Sequence, residues 1–206
     1  MATWWGNDND NRHKGNQQNQ YGLGGDDTLI TTKKGRSYSL YGGEGDDQLV
    51  GYNRSDSIYG GSGADNLYGY GGNDYLDGGK GSDYLGGFYG NDVLVGGDGR
   101  DAFFFETRLN RKENVDRILD FSPGEDRMRL SKDIFDGLGK KGHTLKASKF
   151  EVGTDPTSGN TRILYDDKKG VVYYTPKGDQ GNGKEVPFAK VSKGIQLDHD
   201  DFFVIS

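Results

Sequence analysis

The chain has 206 residues, including 36 glycines, three histidines and no cysteine, and its formal net charge is −6 at pH 7. This composition excludes a disulfide framework and disfavours a zinc site, because zinc is bound mainly by cysteine and histidine. The acidic charge argues against a nucleic-acid partner, and no segment is apolar over the length of a transmembrane span.

Residues 1–21 are predicted to form a degenerate N-terminal cap. They begin MATWWGNDNDNR, without the basic start and apolar run of a cleaved signal peptide. Terminal copies of a repeat commonly degrade, since they have one neighbour instead of two. The first clear sign of the repeat is Asp27, and in the copy that follows Tyr38 takes the place of aspartate while Leu40 keeps the apolar place.

Residues 42–104 repeat every nine residues in seven consecutive copies, with Asp in the sixth place and a large apolar residue in the eighth. The odd copies, which start at Gly42, Gly60, Gly78 and Gly96, open Gly-Gly. The even copies open with Gly and an aromatic residue, as in Gly51-Tyr52, Gly69-Tyr70 and Gly87-Phe88. The structural unit is therefore eighteen residues, two copies long. We call the first six residues of a copy its turn, odd or even.

The turns are rich in Gly and Asp, whereas the three residues that follow suit a very short strand. Each coil should therefore run turn, strand, turn, strand, and residues 22–105 should form an all-β parallel β-roll, a β-solenoid with 18 residues per coil. Because side chains alternate along a strand, the eighth-place residues should all point inward as an apolar ladder. They are Leu29, Leu40, Leu49, Ile58, Leu67, Leu76, Leu85, Leu94 and Phe103.

This thin ladder is a poor core for so many ordered glycines, 25 of which precede Glu106. The same stretch carries 15 acidic and 8 basic side chains, and stacked turns would place Asp above Asp at roughly 4.8 Å. Counter-ions are needed. Carboxylates and bare carbonyls in flexible turns suit calcium better than magnesium, so the sequence predicts about five to seven Ca²⁺ ions.

The sixth-place aspartates should supply the carboxylates, and the glycines should let backbone carbonyls face the ion. Odd turns then offer the pairs Asp27/Asp47, Asp47/Asp65, Asp65/Asp83 and Asp83/Asp101, and even turns offer Asp56/Asp74 and Asp74/Asp92. Arg54, where glycine is expected, weakens the Asp56 site. The other candidate ligands are Gly42, Gly43, Glu44, Gly45, Gly60, Gly61, Ser62, Gly63, Gly69, Tyr70, Gly71, Gly72, Gly78, Gly79, Lys80, Gly81, Gly87, Tyr89, Gly96 and Asp98.

The nonapeptides resemble those of RTX (repeats-in-toxin) proteins, secreted bacterial proteins with hemolysin-type calcium-binding repeats. The resemblance implies that calcium lies between turns two copies apart. One site would take the carbonyls of Gly61 and Gly63 with Asp65, and the carbonyls of Gly78 and Lys80 with Asp83. It also implies an extracellular protein exported by a type I secretion apparatus, which reads an uncleaved C-terminal signal such as DDFFVIS at the end of this chain.

Residues 106–206 lack the period and contain 18 basic and 17 acidic residues. They are predicted to form a β-sandwich-like cap that carries the secretion signal. We expect two strands around a Pro-Gly turn within residues 116–131, a short helix over 131–138, a hairpin over 162–174, and strands near 186–191 and 202–205.

This half resembles the C-terminal region of serralysin-type RTX proteins. A D-x-I-x-D-F-x-x-G-x-D segment is matched by Asp116, Ile118, Asp120, Phe121, Gly124 and Asp126, and an R-x-x-Y-D-x-x-x-G hairpin by Arg162, Tyr165, Asp166 and Gly170. Asp120 is a possible extra calcium ligand. The sequence contains no HExxH or Gly-x-Ser-x-Gly motif, so we expect no catalytic residues.

The favoured function is that of a secreted calcium-binding protein acting in an extracellular matrix, in adhesion or at a surface. Outward tyrosines, Tyr41 and Tyr59 on one sheet and Tyr68 and Tyr84 on the other, suggest a polysaccharide or host surface as partner. Two alternatives stay open. The chain could be the secretion and folding module of a larger protease, lipase or epimerase, against which Met1 and the degraded first copies argue. It could also be a membrane-active signalling protein, although no amphipathic helix is predicted.

Overall fold

A computed structural model describes residues 2–32, 36–176 and 185–205. These residues form β-strands in two sheets, with two 3₁₀ helices of three residues at Ala147–Lys149 and His199–Asp201. The strands are β1 (Thr3–Asn7), β2 (Arg12–Gly15), β3 (Asn19–Gly24), β4 (Thr28–Thr31), β5 (Ser39–Glu44), β6 (Gln48–Val50), β7 (Ser57–Ser62), β8 (Asn66–Gly71), β9 (Tyr75–Gly81), β10 (Tyr84–Tyr89), β11 (Val93–Gly99), β12 (Ala102–Phe105), β13 (Asp116–Ile118), β14 (Arg127–Ser131), β15 (His143–Thr144), β16 (Phe150–Val152), β17 (Ile163–Asp166), β18 (Val171–Tyr174), β19 (Val186–Lys190) and β20 (Phe202–Ile205).

Successive strands of the repeats alternate between the two sheets. β1, β3, β5, β7, β9 and β11 are parallel neighbours in the first sheet, and β2, β4, β6, β8, β10 and β12 are parallel neighbours in the second. Within the repeats each residue pairs with the residue eighteen positions later, as Leu40 does with Ile58 and Leu49 with Leu67. The fold is therefore all-β, and the repeats form a parallel β-roll with 18 residues per coil, as predicted.

The strands are longer than predicted. β7 and β8 have six residues each and β9 has seven, whereas three were expected. The first three residues of the following copy stay extended and keep pairing with the next coil, as Gly61 does with Gly79 and Ser62 with Lys80. The sharp bend is therefore confined to the fourth to sixth places of a copy.

The predicted apolar ladder is the core of the roll, and all nine of its residues have 0% exposure. It continues past the repeats through Ile118 and Met128, which are also buried. At the N-terminal end it changes character: Gln20 is buried beside Leu40, and the Trp4 ring stacks on the His13 ring at 4.1 Å between centroids. A polar and aromatic layer thus covers this end of the ladder.

Residues after the repeats extend both sheets. β13, β19, β18, β17 and β16 follow β11 in the first sheet, and β14, β20 and β15 follow β12 in the second. The predicted antiparallel hairpin is formed by β17 and β18, and the strands expected near 186–191 and 202–205 are β19 and β20. The two strands expected within 116–131 are β13 and β14, which lie in different sheets.

The helix predicted over residues 131–138 is wrong. The backbone N–H groups of Ile134 and Phe135 both bond back to the Ser131 carbonyl (3.1 and 2.9 Å), which makes a single turn. Gly137 and Gly139 then adopt positive φ values of 79° and 136°, which a right-handed helix does not allow. The described part of the chain has no helix with the length and hydropathy needed to span a membrane.

Candidate metal centres

The sixth-place aspartates form two columns on opposite edges of the roll. Odd turns connect the first sheet to the second and even turns connect the second sheet to the first, which places their aspartates on opposite edges. Every one of these aspartates is at most 2% exposed. The odd column consists of Asp27, Asp47, Asp65, Asp83 and Asp101, and the even column of Asp56, Asp74 and Asp92.

Hydrogen bonds along each column fix one oxygen of each carboxylate. The backbone N–H of Asp47 donates to Oδ1 of Asp65 (2.8 Å), and the N–H of Asp65 donates to Oδ1 of Asp83 (2.8 Å). The same bond joins Asp56 to Asp74 in the even column (2.8 Å). Each carboxylate is thereby held between two turns.

The second oxygen has no hydrogen-bond partner in seven of these eight aspartates, although it is buried in each of them. A buried carboxylate oxygen without a partner is strongly unfavourable, so these positions call for a cation. The seven are Asp27, Asp47, Asp65, Asp74, Asp83, Asp92 and Asp101. Asp56 is the exception, because its Oδ2 accepts from the backbone N–H of Tyr52 (3.0 Å) and its Oδ1 from that of Tyr38 (2.7 Å).

The first-place glycines leave room for two oxygens to converge. A methyl group on Gly60 would lie 2.3 Å from Asp65 Oδ2 and 2.6 Å from the Gly78 carbonyl oxygen. On Gly78 it would lie 2.3 Å from Asp83 Oδ2 and 2.6 Å from the Gly96 oxygen. A side chain at this place would therefore fill the space in which a carboxylate and a carbonyl approach each other.

The second- and fourth-place glycines of the odd turns have positive φ, for example 122° at Gly61 and 135° at Gly63. A methyl group on Gly81 would lie 1.6 Å from the Gly63 carbonyl oxygen, so the turns are stacked with carbonyls packed against glycine Cα atoms. The third-place carbonyl of Lys80 already accepts a hydrogen bond from Gly63 N–H (2.9 Å). A carbonyl oxygen has a second lone pair, which is still available to a metal.

Third-place side chains point away from the columns. Glu44, Lys80 and Asp98 are exposed, and Tyr89 is 62% exposed. These residues can therefore contribute only backbone carbonyls to a site. Among the described residues no three carboxylate, imidazole or thiolate side chains gather at one point, so an ion between two turns would take most of its ligands from the backbone. Such an all-oxygen, flexible set fits calcium.

Burial raises the pKa of five column aspartates, while the backbone hydrogen bond from the preceding column residue lowers it to a smaller extent; the five are Asp47, Asp65, Asp74, Asp83 and Asp101. The pKa of Asp47 is raised to about 7 and that of Asp74 to about 8. The pKa values of Asp65, Asp83 and Asp101 are raised to about 6. In the metal-free fold, ionising each of these groups therefore costs more free energy than ionising an exposed aspartate, and a bound cation would offset that cost.

The even column departs from the pattern at two kinds of position. Tyr70 and Phe88, in the second place, have φ values of 72° and 70°, a strained conformation for a residue with a side chain. Arg54, in the fourth place, does not adopt the positive φ of Gly72 (134°) and Gly90 (140°). This different backbone conformation occurs in the same turn in which Asp56 Oδ2 accepts the hydrogen bond from Tyr52 N–H.

The columns also extend beyond the repeats, which sequence periodicity missed. Backbone N–H groups donate to the next carboxylate from Asn11 to Asp27 (2.7 Å), from Asp92 to Asp116 (3.1 Å) and from Asp101 to Asp126 (3.0 Å). The offsets are 16, 24 and 25 residues instead of 18. One signal could have found them: an Asp or Asn two residues before a ladder position, as in Asp116 and Ile118.

These added aspartates differ from the seven in the repeats. Asp126 Oδ2 accepts from Ser122 N–H (2.8 Å). Asp120 uses both oxygens to accept from the N–H groups of Gly96 (3.0 Å) and Gly97 (2.8 Å). Asp120 and Asp126 therefore accept hydrogen bonds from the backbone of the last odd turn, residues 96–101. Their carboxylate oxygens have protein partners without an ion.

Residues 39–53, 50–85 and 86–104 match the family model of the RTX calcium-binding nonapeptide repeat. No curated protein matches the chain. Among solved structures, the AlgE6R3 subunit of the Azotobacter vinelandii mannuronan C5-epimerase is 34% identical, over 77% of each chain, with a TM-score of 0.34. The AlgE6R2 subunit of the same enzyme is 25% identical, over 74% of this chain and 89% of that one, with a TM-score of 0.35.

Proposed function

Because the chain belongs, through residues 39–104, to the family of RTX calcium-binding nonapeptide repeats, we propose that it is a secreted protein whose β-roll folds on binding several Ca²⁺ ions after export. RTX repeats bind calcium as a family. The observation that supports this role for the present chain is the set of seven buried carboxylate oxygens without a hydrogen-bond partner. Each lies beside a first-place glycine, where carbonyl oxygens of the stacked turns can complete the coordination of an ion.

The energetics support a folding switch between calcium levels. For sites with an extracellular-type dissociation constant of about 0.1 mM, a calcium concentration of about 1 mM stabilises the fold by roughly 1.4 kcal/mol per site. The four odd pairs and the Asp74/Asp92 pair would together contribute about 7 kcal/mol, comparable with the whole stability of a typical domain. At sub-micromolar calcium the same sites contribute almost nothing. The chain would then be unfolded inside the cell and folded outside.

Export by a type I secretion apparatus and a role in a matrix, in adhesion or at a surface are the further parts of this proposal. They rest on membership of the RTX family. The roll itself is a structural calcium-binding module, and its exposed third-place side chains are the groups that a partner would meet.

The deciding experiment is a calcium titration of the purified, metal-stripped chain by calorimetry and circular dichroism, with magnesium as the control ion. We expect cooperative uptake of about five to six calcium ions with a gain in β structure, and no comparable effect of magnesium. A chain that is fully folded in excess chelator and indifferent to calcium would show that the repeats no longer bind the ion.

A further inference from the structure

A cavity of about 420 Å³ lies at the outer face of the second sheet, where the roll meets the C-terminal region. Three arginines line it: Arg100, which follows β11, and Arg127 and Arg129, which belong to β14. Met128, between the two strand arginines, is buried in the core, so both arginine side chains lie on the outer face of the sheet. The cavity therefore collects basic groups from the last repeat and from the region that follows it.

The three arginines have no partner for their charge. Within the described residues none of their guanidinium groups forms a salt bridge or a hydrogen bond. Nη1 of Arg127 and Nε of Arg129 are, in addition, buried without an acceptor. An N–H donor that loses water without gaining an acceptor is unfavourable. The site therefore calls for an acceptor group that the described part of the chain does not supply.

Ring contacts hold Arg129 in place. Its guanidinium carbon lies 4.9 Å from the centroid of the Phe104 ring, 5.5 Å from that of Phe203 and 5.6 Å from that of Tyr84. Such cation–π contacts fix the plane of a guanidinium group and leave the N–H groups at its edge able to donate. Arg129 is thus preorganised, which reduces the entropy lost when a ligand binds. The Tyr84 side chain, 38% exposed, adds a hydroxyl donor to the wall.

Two carboxylates line the same cavity, Asp101 and Glu125. Asp101 belongs to the odd column, and its unpartnered Oδ2 lies beside the first-place Gly96, where a column ion would bind. A calcium ion there compensates the charge of Asp101. Three guanidinium groups then face the single carboxylate of Glu125, which makes the cavity a positive site on a chain of net charge −6.

A phosphate group fits these side chains better than a carboxylate does. A phosphate monoester carries a charge of about −1.5 to −2 at pH 7 and three acceptor oxygens, whereas a carboxylate carries one charge and two oxygens. Three guanidinium groups can each pair with part of one phosphate, and clusters of arginines are a recurring means of binding phosphate groups. The volume of about 420 Å³ is in the range of small-molecule sites, which leaves room for the group attached to the phosphate.

The tyrosine row on the first sheet offers no comparable site. Tyr41 and Tyr59 do stack, as expected, at 4.9 Å between centroids, and the stack continues through Tyr21 to Trp5. Their ring faces therefore cover one another and are closed to a ligand. On the second sheet the rings instead surround a guanidinium group.

We propose that this cavity binds a phosphate monoester, with the guanidinium groups of Arg100, Arg127 and Arg129 around the phosphate and the Tyr84 hydroxyl donating to one of its oxygens. The site goes beyond calcium-dependent folding, because none of these side chains is a candidate calcium ligand. Calcium at Asp101 should strengthen the binding by removing a negative charge from the wall.

The test is a calorimetric titration of the chain with glycerol 3-phosphate in about 1 mM calcium. Glycerate, which carries a carboxylate on a similar backbone, is the comparison ligand. We expect one glycerol 3-phosphate per chain and about tenfold weaker binding of glycerate. Arg127→Gln and Arg129→Gln should each weaken binding about tenfold, and Arg129→Lys less, because lysine keeps the charge but loses the guanidinium geometry. Arg100→Gln, in an exposed turn where the fold is not at risk, should weaken binding about threefold.

Arg117→Gln is the matched control, because Arg117 is an exposed strand arginine of the first sheet and lies outside the cavity. It should change the affinity by less than about twofold. The proposal is overturned if the wild-type chain does not bind glycerol 3-phosphate, if glycerate binds equally well, or if Arg117→Gln weakens binding as much as Arg127→Gln.

Phosphatidylcholine vesicles with a low fraction of phosphatidate, which present the same phosphate group on a lipid, form a second arm. Binding to both probes supports a site that accepts the phosphate from either source, and binding to glycerol 3-phosphate alone supports a site for soluble phosphates. Binding to the vesicles alone would overturn the cavity in favour of a lipid surface. Calcium uptake, measured on the same samples, separates these outcomes from failure of the proposed function: a chain that takes up calcium and ignores glycerol 3-phosphate refutes only the phosphate site.

Discussion

The two edges of the roll are built from the same nonapeptide and differ in what they can hold. On the odd edge five aspartates each keep a buried, unpartnered Oδ2, and glycine occupies the places where carbonyls pack. On the even edge Asp56 is closed by Tyr52 N–H, and aromatic residues or Arg54 replace glycine. The comparison teaches that a repeat can keep its register while one edge loses metal-binding geometry at a single turn, that of Asp56, and gains exposed side chains.

Within the seven exact copies, the even edge carries backbone strain that the odd edge avoids; in the odd column the strained second-place residue is Leu23 (φ 87°), in the irregular turn of Asp27. Tyr70 and Phe88 hold left-handed φ values, each at an expected penalty of roughly 1–2 kcal/mol. In the odd turns the corresponding residues are glycines, such as Gly61 and Gly79. Ions bound on the even edge must offset this strain, so we expect them to bind more weakly than ions on the odd edge.

Removal of calcium should have the largest effect on stability. Hydrogen exchange should also distinguish the odd edge from the even edge. Excess chelator is expected to remove about 7 kcal/mol of stability and to unfold the roll. Hydrogen exchange on the calcium-loaded chain should then show greater protection of the odd turn at residues 60–65 than of the even turn at 51–56. Equal protection of the two turns would contradict the assignment of most ions to the odd edge.

Asp65→Ala compared with Asp56→Ala tests the columns directly. Asp65 takes part in two odd pairs, so its loss should remove two ions and the acceptor for Asp47 N–H, or about 4 kcal/mol in 1 mM calcium. Asp56→Ala loses two backbone hydrogen bonds but should change calcium stoichiometry by one ion at most. Calorimetric stoichiometry and denaturant unfolding measure both effects. Equal loss of ions in the two variants would show that the columns are equivalent.

Gly81→Ala compared with Arg54→Ala tests the fourth place of the two edges. A methyl group on Gly81 would lie 1.6 Å from the Gly63 carbonyl oxygen at a φ of 138°, so we expect a loss of about 3 kcal/mol. Arg54→Ala should be within about 0.5 kcal/mol of the wild type, because its side chain is exposed. The measurement is thermal unfolding in 1 mM calcium, and a stable Gly81→Ala variant would refute the packed stacking of odd turns.

The effect of pH on the stability of the fold should reverse when calcium is added. In the metal-free fold the pKa values of Asp65 and Asp74 are raised to about 6 and about 8, above the unfolded value of about 3.9. The stability contributed by their protonated forms is fully present below about pH 4 and is lost as pH rises, up to about pH 6 for Asp65 and about pH 8 for Asp74, at about 1.4 kcal/mol per pH unit for each group. Calcium binds the ionised forms, so its stabilisation grows with pH.

Circular dichroism at pH 5 and pH 8 checks this expectation. The metal-free chain should keep more β structure at pH 5, and the chain in 1 mM calcium should be more stable at pH 8. A metal-free chain that gains structure as pH rises would show that the column carboxylates are not desolvated.

Arg54→Gly should have a smaller effect on stability than Gly81→Ala and would sharpen the comparison most. Restoring glycine allows the positive φ seen at Gly72 and Gly90, which would free Asp56 from Tyr52 N–H. We expect one additional calcium ion and a gain of about 1.4 kcal/mol in 1 mM calcium. Calorimetric stoichiometry decides the outcome, with Arg54→Ala as the control that removes the charge without restoring glycine. An unchanged ion count in Arg54→Gly would mean that Tyr52, and not Arg54, closes the site.

The register and core of the roll were readable from the sequence. Leu40, Ile58 and Leu76 lie in register because each coil meets an identical neighbour eighteen residues away, so a local pattern fixes a long-range contact. The same period places Asp47, Asp65 and Asp83 in one column. The exact repeat makes the tertiary neighbour of a residue predictable without any knowledge of the rest of the fold.

The features that only the tertiary structure decided lie where that period stops. Asn11, Asp116 and Asp126 join the columns across offsets set by the lengths of intervening loops. The turn at residues 131–138 replaces a helix because Gly137, within it, and Gly139, just after it, adopt positive φ. The free second oxygen of Asp74, the closed one of Asp56 and the cavity beside Arg129 depend on which groups meet in space. A periodic sequence specifies its repeated contacts, whereas single contacts across unequal loops are set only when the whole chain packs.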